Sequence, residues 1–307
     1  MSKKAFCPPT EQEAWEVNGS HSQDEVFNTC QRLYGYQYLL KLKEEAGAPL
    51  VYGNAGHDAL EQLCRGATIP EATAHGIAYL DQHDGKQIAP AGYLWLPQHV
   101  QGYATHIAPA FLSEWRIVAT EQAYEYEVAP GMKERGYIDI VAQRISDNQI
   151  GIFDFKFSSR MYRDKLCENL DWSAQFAYYT MAWVRQVCAQ VFPGVAPFWP
   201  SFVGYHFLLK PKKGDNLGNA KMYSQKGLVV TPRFQGFCLD VEQNQIRMNK
   251  RKREMRLAYA RLGQAAFDDF SANYQSCFRY GDTCRFAHGC HSGNPLHRDM
   301  RFEDRRP

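Results

Sequence analysis

Two aspartates and a lysine, Asp139, Asp154 and Lys156, lie in a stretch of chain that is otherwise rich in β-branched and aromatic residues. A Ser-Asp-Asn tripeptide favours a tight turn, so the runs on either side of it, 137–145 and 149–157, are predicted to form a β-hairpin. With the turn centred on Asp-Asn, residues whose numbers sum to about 295 face each other across the two strands. This register places Asp139 beside Lys156 and diagonal to Asp154, so all three side chains share one patch.

Metal-assisted hydrolysis of a phosphodiester is the chemistry that such a patch could support. Two neighbouring carboxylates repel each other unless a cation lies between them, and Mg²⁺ and Mn²⁺ prefer oxygen ligands. A nearby lysine could orient or deprotonate a water molecule on the metal. A salt bridge across a surface hairpin is the alternative interpretation, because Asp-x-Lys occurs by chance about once in a chain of this length.

The composition is that of a globular protein and gives no signature for one class of ligand. The 307 residues are 45% hydrophobic, 14% aromatic and 22% charged, which permits one large α/β domain. The formal net charge of +2 is too small for an overall nucleic-acid signature, so such binding would depend on local patches. We expect a cytoplasmic protein, because there is no signal-peptide pattern and no stretch apolar enough to span a membrane. Nine cysteines in such a chain favour metal or cluster ligation over a disulfide framework.

The elements that precede the hairpin carry further candidate residues. Apolar residues recur every three or four positions over 23–45, which predicts an amphipathic helix or two short ones, with Cys30 near the buried face. Glycines precede a predicted helix within 53–66 that carries His57, a candidate metal ligand, although a hydrogen-bonded histidine without metal is more common. Proline and glycine in 91–103 predict a loop there.

A strand before the hairpin and a helix after it add polar candidates. Residues 115–128 alternate well enough to predict a long strand, in which Glu121 could bind metal but is expected to face solvent. A helix is predicted from about residue 171 to residue 190. Gln175 and Tyr179 are four residues apart in this helix, so they share one of its faces.

Positive charge concentrates in two parts of the carboxy-terminal half. The predicted strands 202–209 and 227–233 are joined by a polar loop with four lysines, which could grip phosphates beside an active site. A long helix with a buried apolar seam is predicted over 239–270. Its basic residues form either a solvated face or a surface for DNA, and the DNA-binding candidates are Arg247, Lys250, Arg251 and Arg253.

Three cysteines, Cys277, Cys284 and Cys290, lie close together in an otherwise polar segment that contains glycine. The sequence CRFAH, residues 284–288, resembles the end of a Cys-Cys-Cys-His zinc finger, but the further cysteine that such a finger needs before Cys277 is missing. A fourth ligand must therefore come from elsewhere in the chain. The metal is either zinc or the iron of an iron–sulfur cluster.

Taken in order, these motifs resemble the RecB-like branch of the PD-(D/E)XK nucleases, which includes CRISPR-associated and phage exonucleases with an iron–sulfur cluster. The family pattern is an upstream cysteine on an aromatic helix, a histidine, Gly-x-x-Asp, Asp-x-Lys, Gln-x-x-x-Tyr and three terminal cysteines. The resemblance extends over nearly the whole chain, about 22–290, and its residues are Cys30, His57, Gly136 to Asp139, Asp154 to Lys156, Gln175 to Tyr179, Cys277, Cys284 and Cys290.

The resemblance implies a restriction-endonuclease-like α/β fold with a mixed central β-sheet flanked by helices. The amino- and carboxy-terminal segments would be joined by a cysteine-ligated cluster. A single nuclease domain over 22–292 would lie between two flexible tails, 1–21 and 293–307. Within the domain, 22–66 and 240–292 would form the cluster-bearing helical part, and 110–235 the catalytic sheet and helix.

The resemblance also implies a role for each candidate in the catalytic region. A histidine and two aspartates would hold one or two Mg²⁺ or Mn²⁺ ions, and the lysine would position the attacking water. A glutamine and a tyrosine on the following helix would steady that lysine or the DNA strand. The implied catalytic residues are Asp139, Asp154, Lys156, Gln175 and Tyr179, and the implied metal ligands are His57, Asp139 and Asp154.

A 4Fe–4S cluster is implied at the cysteines, where it would be structural because it closes a loop of about 250 residues. Its ligands would be Cys30, Cys277, Cys284 and Cys290. Two features keep zinc as the alternative metal. His288 and His291 lie beside the last cysteines, and the interval between Cys277 and Cys284 is wider than in cellular members of the family.

The implied activity is that of a divalent-metal-dependent DNA exonuclease acting on single strands or DNA ends in recombination, repair or CRISPR adaptation. Besides DNA, the expected partners are a recombinase, a single-strand annealing protein or a CRISPR integrase, and a membrane is not expected. Two alternatives stay open. One is a non-catalytic or endonucleolytic DNA-binding subunit of the same fold, and the other is a zinc-containing nucleic-acid-binding protein.

Overall fold

Residues 8–42, 47–212, 214–273 and 284 are described by a computed structural model, with the backbone alone at 264, 268 and 269. The chain divides into two compact units. The smaller unit consists of residues 1–44, 127–135 and 243–307, and the larger unit consists of residues 45–126 and 136–242.

The described residues form α-helices, strands and a few short helical segments of other types. The α-helices are α1 (Glu11–Trp15), α2 (His21–Thr29), α3 (Gln31–Tyr34), α4 (Ala48–Cys64), α5 (Ile69–Gln82), α6 (Gly85–Ile88), α7 (Gly92–His106), α8 (Ala108–Glu114), α9 (Arg160–Glu168), α10 (Ala174–Ala182), α11 (Cys188–Val191) and α12 (Pro232–Leu262). The strands are β1 (Val17–Gly19), β2 (Trp115–Ala129), β3 (Met132–Arg144), β4 (Ile150–Ser158), β5 (Phe202–Leu209) and β6 (Tyr223–Val229). Short π-helical or 3₁₀ segments occupy Gly35–Leu39, Leu170–Trp172, Trp183–Val187, Ala220–Met222 and Gly263–Asp269.

A mixed β-sheet forms the centre of the larger unit. Strands β3 and β4 form the predicted hairpin, β4 pairs in parallel with β5, and β5 pairs in antiparallel fashion with β6. Strand β2 also pairs with β3. The central strands β4 and β5 are buried along most of their length, which accounts for their nearly continuous apolar sequences. The sheet therefore carries Asp154 of β4 into the interior of the unit.

Helices cover both faces of this sheet. On one face, Phe111 of α8 contacts Phe153 of β4, with their ring centroids 4.9 Å apart. On the other face, Phe176 of α10 contacts Tyr205 of β5 at 4.6 Å. Tyr205 is paired in register with Asp154, and side chains alternate along a strand, so α10 covers the face from which Asp154 projects.

Helix α4 approaches β4 closely at a glycine. A Cβ atom at Gly56 would overlap the ring of Phe157, so this contact requires glycine. His57 follows it and lies 5.9 Å from Phe155, measured between ring centroids. His57 is in the middle of α4 rather than near its start as predicted, because Gly53 and Gly56 are themselves helical and Pro49 marks the first turn.

The smaller unit is built around an aromatic core to which both ends of the chain contribute. The core includes Phe27 and Tyr34 from the amino-terminal helices and Met255 and Tyr259 from α12. Strand β1 pairs in parallel with residues 132–134 at the beginning of β3. Segments far apart in sequence therefore depend on one another for burial of their apolar side chains.

A buried polar network runs through this smaller unit. The fully buried ammonium group of Lys252 donates to the carboxylate of Asp24 and lies 3.2 Å from Oδ1 of Asn249. The amide of Asn249 donates a 2.8 Å hydrogen bond to Oε1 of Glu134, whose side chain is also fully buried. Because buried charges are costly without partners, each member of this network depends on the others.

Residues 11–19 do not belong to a flexible tail, which was predicted for 1–21. Thr10 and Glu13 form a capping box that begins α1, and β1 follows with Val17 almost fully buried. A few buried apolar residues, such as Val17, are enough to order this polar segment. The tail predicted for 293–307 lies outside the described residues.

The predicted subdivision of the chain also differs from the observed one. A helical part was predicted over 22–66, but residue 45 onward, including α4, belongs to the larger unit. The reason is the glycine contact described above, which packs α4 on the sheet. Strand β5 matches the prediction, whereas β6 begins four residues before the predicted 227–233 strand and ends at Val229, because α12 begins at Pro232. No helix within the described ranges is both long and apolar enough to cross a membrane.

Helix α7 replaces the loop predicted for 91–103. Its residues Leu96, Val100 and Tyr103 recur at helical spacing and are buried, although Pro97 lies inside the helix. Burial of this apolar stripe outweighs the backbone hydrogen bond that proline cannot donate. In 23–45 the second predicted option is confirmed, since two short helices meet at Cys30, whose backbone is extended.

Candidate active site

The paired register of β3 and β4 ends next to the predicted carboxylates. Their register pairs Ile140 with Phe153. One residue further, Oδ2 of Asp139 accepts a 2.8 Å hydrogen bond from the backbone N–H of Phe155. The carboxylate thus takes a donor of β4 that a partner strand would otherwise satisfy.

The hairpin register differs by two residues from the predicted one. Asn148, with a φ of 61°, is the left-handed residue of the turn. Its N–H bonds to the carbonyl oxygen of Arg144, so the turn lies earlier in the chain than expected. Asp139 is consequently opposite Asp154 rather than beside Lys156, because the residue numbers 139 and 154 add up to the same total as those of each observed pair, such as Ile140 and Phe153.

Asp154 is buried beneath α10, with 1% of its surface exposed. Its Oδ1 accepts hydrogen bonds from Nε2 of Gln175 at 2.7 Å and from the hydroxyl of Tyr179 at 3.2 Å. Nζ of Lys156 lies 2.7 Å from Oδ2 of Asp154, as an ion pair without hydrogen-bond alignment. Gln175 and Tyr179 therefore hold the aspartate, whereas the prediction had them steady the lysine or the DNA.

Three potential metal ligands from α4, β2 and β3 converge next to this pair. Nδ1 of His57 lies 3.2 Å from Oδ2 of Asp139 and 4.0 Å from Oε1 of Glu121. One ligand atom from each residue lies within 4.8 Å of the others, which suits a shared ion. His57 and Glu121 expose 29% and 27% of their side chains, so the group is open to solvent. Asp154, a predicted ligand, stands outside this group because its contacts are with α10 and Lys156.

Glu121 was expected to face solvent, and the structure brings it to the site instead. Its φ is 44°, a left-handed conformation inside β2 that is uncommon for glutamate. A departure of this kind interrupts the alternation of a strand and redirects a side chain, as bulges beside active sites do. The two-residue pattern could therefore not place it, and no glycine or asparagine marks the position.

The charges in the site shift one another's pKa values. Burial opposes ionisation of Asp139, but His57 and Lys156 hold the pKa of its carboxyl below the usual value. Burial raises the pKa of Asp154 to about 6 against the effect of Lys156, and it raises the pKa of Glu121 to about 7 with a further contribution from Asp139. Burial alone would lower the pKa of His57, yet the Asp139 carboxylate raises it to about 8. Glu121 and His57 therefore change protonation near neutral pH.

Lys156 is a cation in this arrangement. Burial disfavours its charge, but the carboxylates of Asp154 and Asp139 outweigh that cost and raise its pKa. Its Nζ also lies 5.7 Å from the centre of the Tyr205 ring, on the same face. Of the two roles that the sequence left open, orienting a water molecule fits this charge state better than deprotonating it.

Two of the predicted cluster ligands are described, and both belong to the smaller unit. Cys30 is partly buried between α2 and α3, where its Sγ accepts a hydrogen bond from the N–H of Asn273 at 3.5 Å. Cys284 packs against the aromatic core of the same unit. The other two predicted ligands, Cys277 and Cys290, lie outside the described residues.

The four basic residues predicted to bind DNA divide into two sets on α12. Arg247, Lys250 and Arg251 are exposed and line a groove of the smaller unit. Arg253 instead donates a 2.7 Å hydrogen bond to the carbonyl oxygen of Pro130 and stacks on a tryptophan ring. The structure thus keeps three of the four together and gives Arg253 a packing role.

A family model for the PD-(D/E)XK nuclease superfamily matches residues 18–291. A comparison with curated proteins gave no significant match. The family match covers most of the chain and spans all elements that carry the site, from α4 to α10. The chain therefore belongs to the PD-(D/E)XK superfamily, whose members are generally nucleases that use divalent metals such as Mg²⁺ or Mn²⁺.

Proposed function

We propose that this protein is a divalent-metal-dependent exonuclease of the RecB-like branch, acting in the cytoplasm on single-stranded DNA or DNA ends. The observation that carries the proposal is the convergence of His57, Glu121 and Asp139 next to the Asp154–Lys156 ion pair. The site thereby combines ligands for a divalent cation with a lysine that can donate hydrogen bonds to a phosphate. Recombination, repair or CRISPR adaptation is the proposed setting, with a recombinase, annealing protein or integrase as partner.

The residues fit a hard divalent cation. Carboxylate oxygens with one imidazole are a ligand set that Mg²⁺ or Mn²⁺ accepts. Oδ2 of Asp154 is buried and has no aligned hydrogen-bond donor in the described part of the chain, a state that a cation would relieve. His57, Glu121 and Asp139 are the residues that would hold the ion, and Asp154, which lies outside their group, would join them through its Oδ2. When bound, it supplies a Lewis acid and lowers the pKa of a coordinated water molecule.

The remaining residues of the site position groups and stabilise charge. Lys156 donates hydrogen bonds to the attacking water or to the phosphate oxygens, whose negative charge grows during hydrolysis. Gln175 and Tyr179 bind Oδ1 of Asp154 and so leave Oδ2 turned toward Lys156. They are positioning residues, because they act on the reaction through Asp154.

Incubation of the purified protein with Mn²⁺ and end-labelled oligonucleotides tests the activity. We expect progressive shortening of linear strands and resistance of circular ones. Asp154→Asn and Lys156→Met should each lower the rate by at least about 100-fold, as removal of a charge-stabilising group does elsewhere. Asp147→Asn, in the exposed turn of the same hairpin, is the matched control. Wild-type activity in Asp154→Asn would overturn the site, and equal cleavage of circles would overturn the exonuclease assignment.

A 4Fe–4S cluster at Cys30, Cys277, Cys284 and Cys290 is the second part of the proposal, with zinc as the alternative metal. Support comes from the thiolate donor set and from the location of Cys30 and Cys284 in one unit. Anaerobically purified protein should be brown and contain iron. Cys284→Ser should bleach it, whereas Cys167→Ser, at a partly buried cysteine of the larger unit, should not. Stoichiometric zinc without iron would refute the cluster.

A further inference from the structure

A groove of about 610 Å³ lies within the smaller unit. The junction of α2 and α3, helix α12 and residues 271–273 form its walls. Phe27 and Met248 line it and are also members of the buried core, so part of its lining is fixed by packing. The volume is in the range of sites that hold ligands. The groove is therefore a built feature of this unit.

Among the described residues, the lining of this groove is basic and contains no acidic side chain. Arg247, Lys250 and Arg251 are exposed, and none of them forms an ion pair with a described carboxylate. Arg261, on the same helix, shows the contrast, because it pairs with Glu11. The other polar groups of the described lining are amides, hydroxyls and the thiol of Cys30, which is also a proposed ligand of the cluster, so the groove lies beside the proposed cluster. Three cations without counter-charges on a concave surface attract an anion.

The spacing of the three cations matches an extended anion better than a single phosphate. Arg247 and Arg251 are one helical turn apart, about 6 Å along the axis, and Lys250 lies on the same face. The charge therefore forms a row. On the wall formed by the α2–α3 junction, Asn28 and Gln31 offer amides, which can both donate to and accept from the base edges that a single strand exposes.

We propose that this groove binds the sugar–phosphate backbone of single-stranded DNA at a site distinct from the residues that hydrolyse it. The inference rests on the proposed function, because the strand is taken to be the substrate of the nuclease. Arg247, Lys250 and Arg251 neutralise successive phosphates, and the amide side chains contact bases or sugars.

Fluorescence anisotropy with a short labelled single strand tests this binding in EDTA, where metal-dependent hydrolysis does not occur. The triple variant Arg247→Ala/Lys250→Ala/Arg251→Ala should bind at least about tenfold more weakly than the wild type. Its slope of log affinity against log salt should be shallower by about 2, since each lost phosphate contact removes about 0.7. Arg135→Ala removes an exposed arginine of the same unit outside the groove and should change neither value. A circular-dichroism melt establishes that each variant is folded.

An unchanged affinity and salt slope in the folded triple variant would overturn the proposal. The proposal would also be overturned if inorganic pyrophosphate binds the groove and the three substitutions leave the affinity for the single strand unchanged. The groove would then be a site for a small phosphorylated ligand. Failure of the proposed function looks different. In that case the wild type would bind the strand through the groove in EDTA, yet would not cut it with Mn²⁺.

Discussion

Replacement of Glu121 by glutamine is expected to weaken Mn²⁺ binding and to change its pH dependence. Glu121 and His57 belong to the same group of potential metal ligands, and their pKa values are about 7 and about 8. A metal ion must displace the protons from both groups, so binding tightens as the pH rises through these values. Glutamine keeps the size of the side chain but carries no such proton. The variant should therefore lose one of the two titration steps.

The size of the effect follows from the two pKa values. Glu121 is about one tenth ionised at pH 6 and about nine tenths ionised at pH 8. His57 is about one hundredth deprotonated at pH 6 and about half deprotonated at pH 8. The products of these fractions, with a further factor of about two from Asp154, whose pKa is about 6, predict that wild-type affinity tightens about 1,000-fold between pH 6 and pH 8 and that the variant tightens about 100-fold. This tenfold difference between the two pH dependences would identify Glu121 as a metal ligand.

Isothermal titration of DNA-free protein with Mn²⁺ at several pH values between 6 and 8 measures both affinities. Glu125→Gln is the matched control, because Glu125 is an exposed glutamate of the same strand, and it should behave like the wild type. If Glu121→Gln shows the same affinity and the same pH dependence as the wild type, Glu121 is not a ligand. The role given to its left-handed backbone would then be refuted as well.

Gln175→Leu removes a hydrogen bond to Asp154. Mn²⁺-dependent kcat/KM should therefore fall about 10–100-fold, as it does when other residues that orient metal ligands are replaced. An unchanged kcat/KM would contradict the positioning role of Gln175. Lys252→Met removes the buried ammonium group that pairs with the buried carboxylate of Asp24. Urea titrations should show a loss of about 3–5 kcal/mol in the free energy of unfolding, much of it recovered when Asp24→Asn is added. Burial raises the pKa of Glu134 from 4.5 to about 7, so its contribution to stability is fully present below pH 4.5 and is lost as the pH rises through about 7. Glu134→Gln should remove this decline in the free energy of unfolding, which is up to about 3 kcal/mol. Urea titrations at pH 5 and pH 8 measure it. If the variant shows the same decline as the wild type, another titratable group causes it.

The strand that carries Asp154 and Lys156 could be predicted because its requirements are local. A strand buried on both faces needs a continuous apolar sequence, and an Asp-x-Lys pair within such a run is conspicuous. The pairing of Gln175 with Tyr179 could also be predicted, since their separation of one helical turn places both on one helix face, which in the structure meets Asp154. They contact the aspartate rather than the lysine because of how α10 lies on the sheet. The spacing of residues along a helix gives no information about that orientation.

Other parts of the site depend on interactions that a local pattern cannot carry. The register of the hairpin follows from the left-handed Asn148, and a shift of the turn by one residue moves every opposite pair by two. Glu121 departs from the alternation of its strand, and α7 forms through Pro97 because three apolar residues are buried together. Each of these outcomes was decided by tertiary packing, which overrode the preference of the local sequence.

The hydrogen bond between Asp139 and the backbone of β4 has a consequence for spectroscopy. Oδ2 of Asp139 both accepts the N–H of Phe155 and lies 3.2 Å from the imidazole of His57. Any event that changes the charge on that oxygen therefore changes the polarisation of one main-chain amide in the middle of the sheet. The nitrogen and proton resonances of Phe155 are a built-in sensor for the site, readable without a label on the ligand or the nucleic acid.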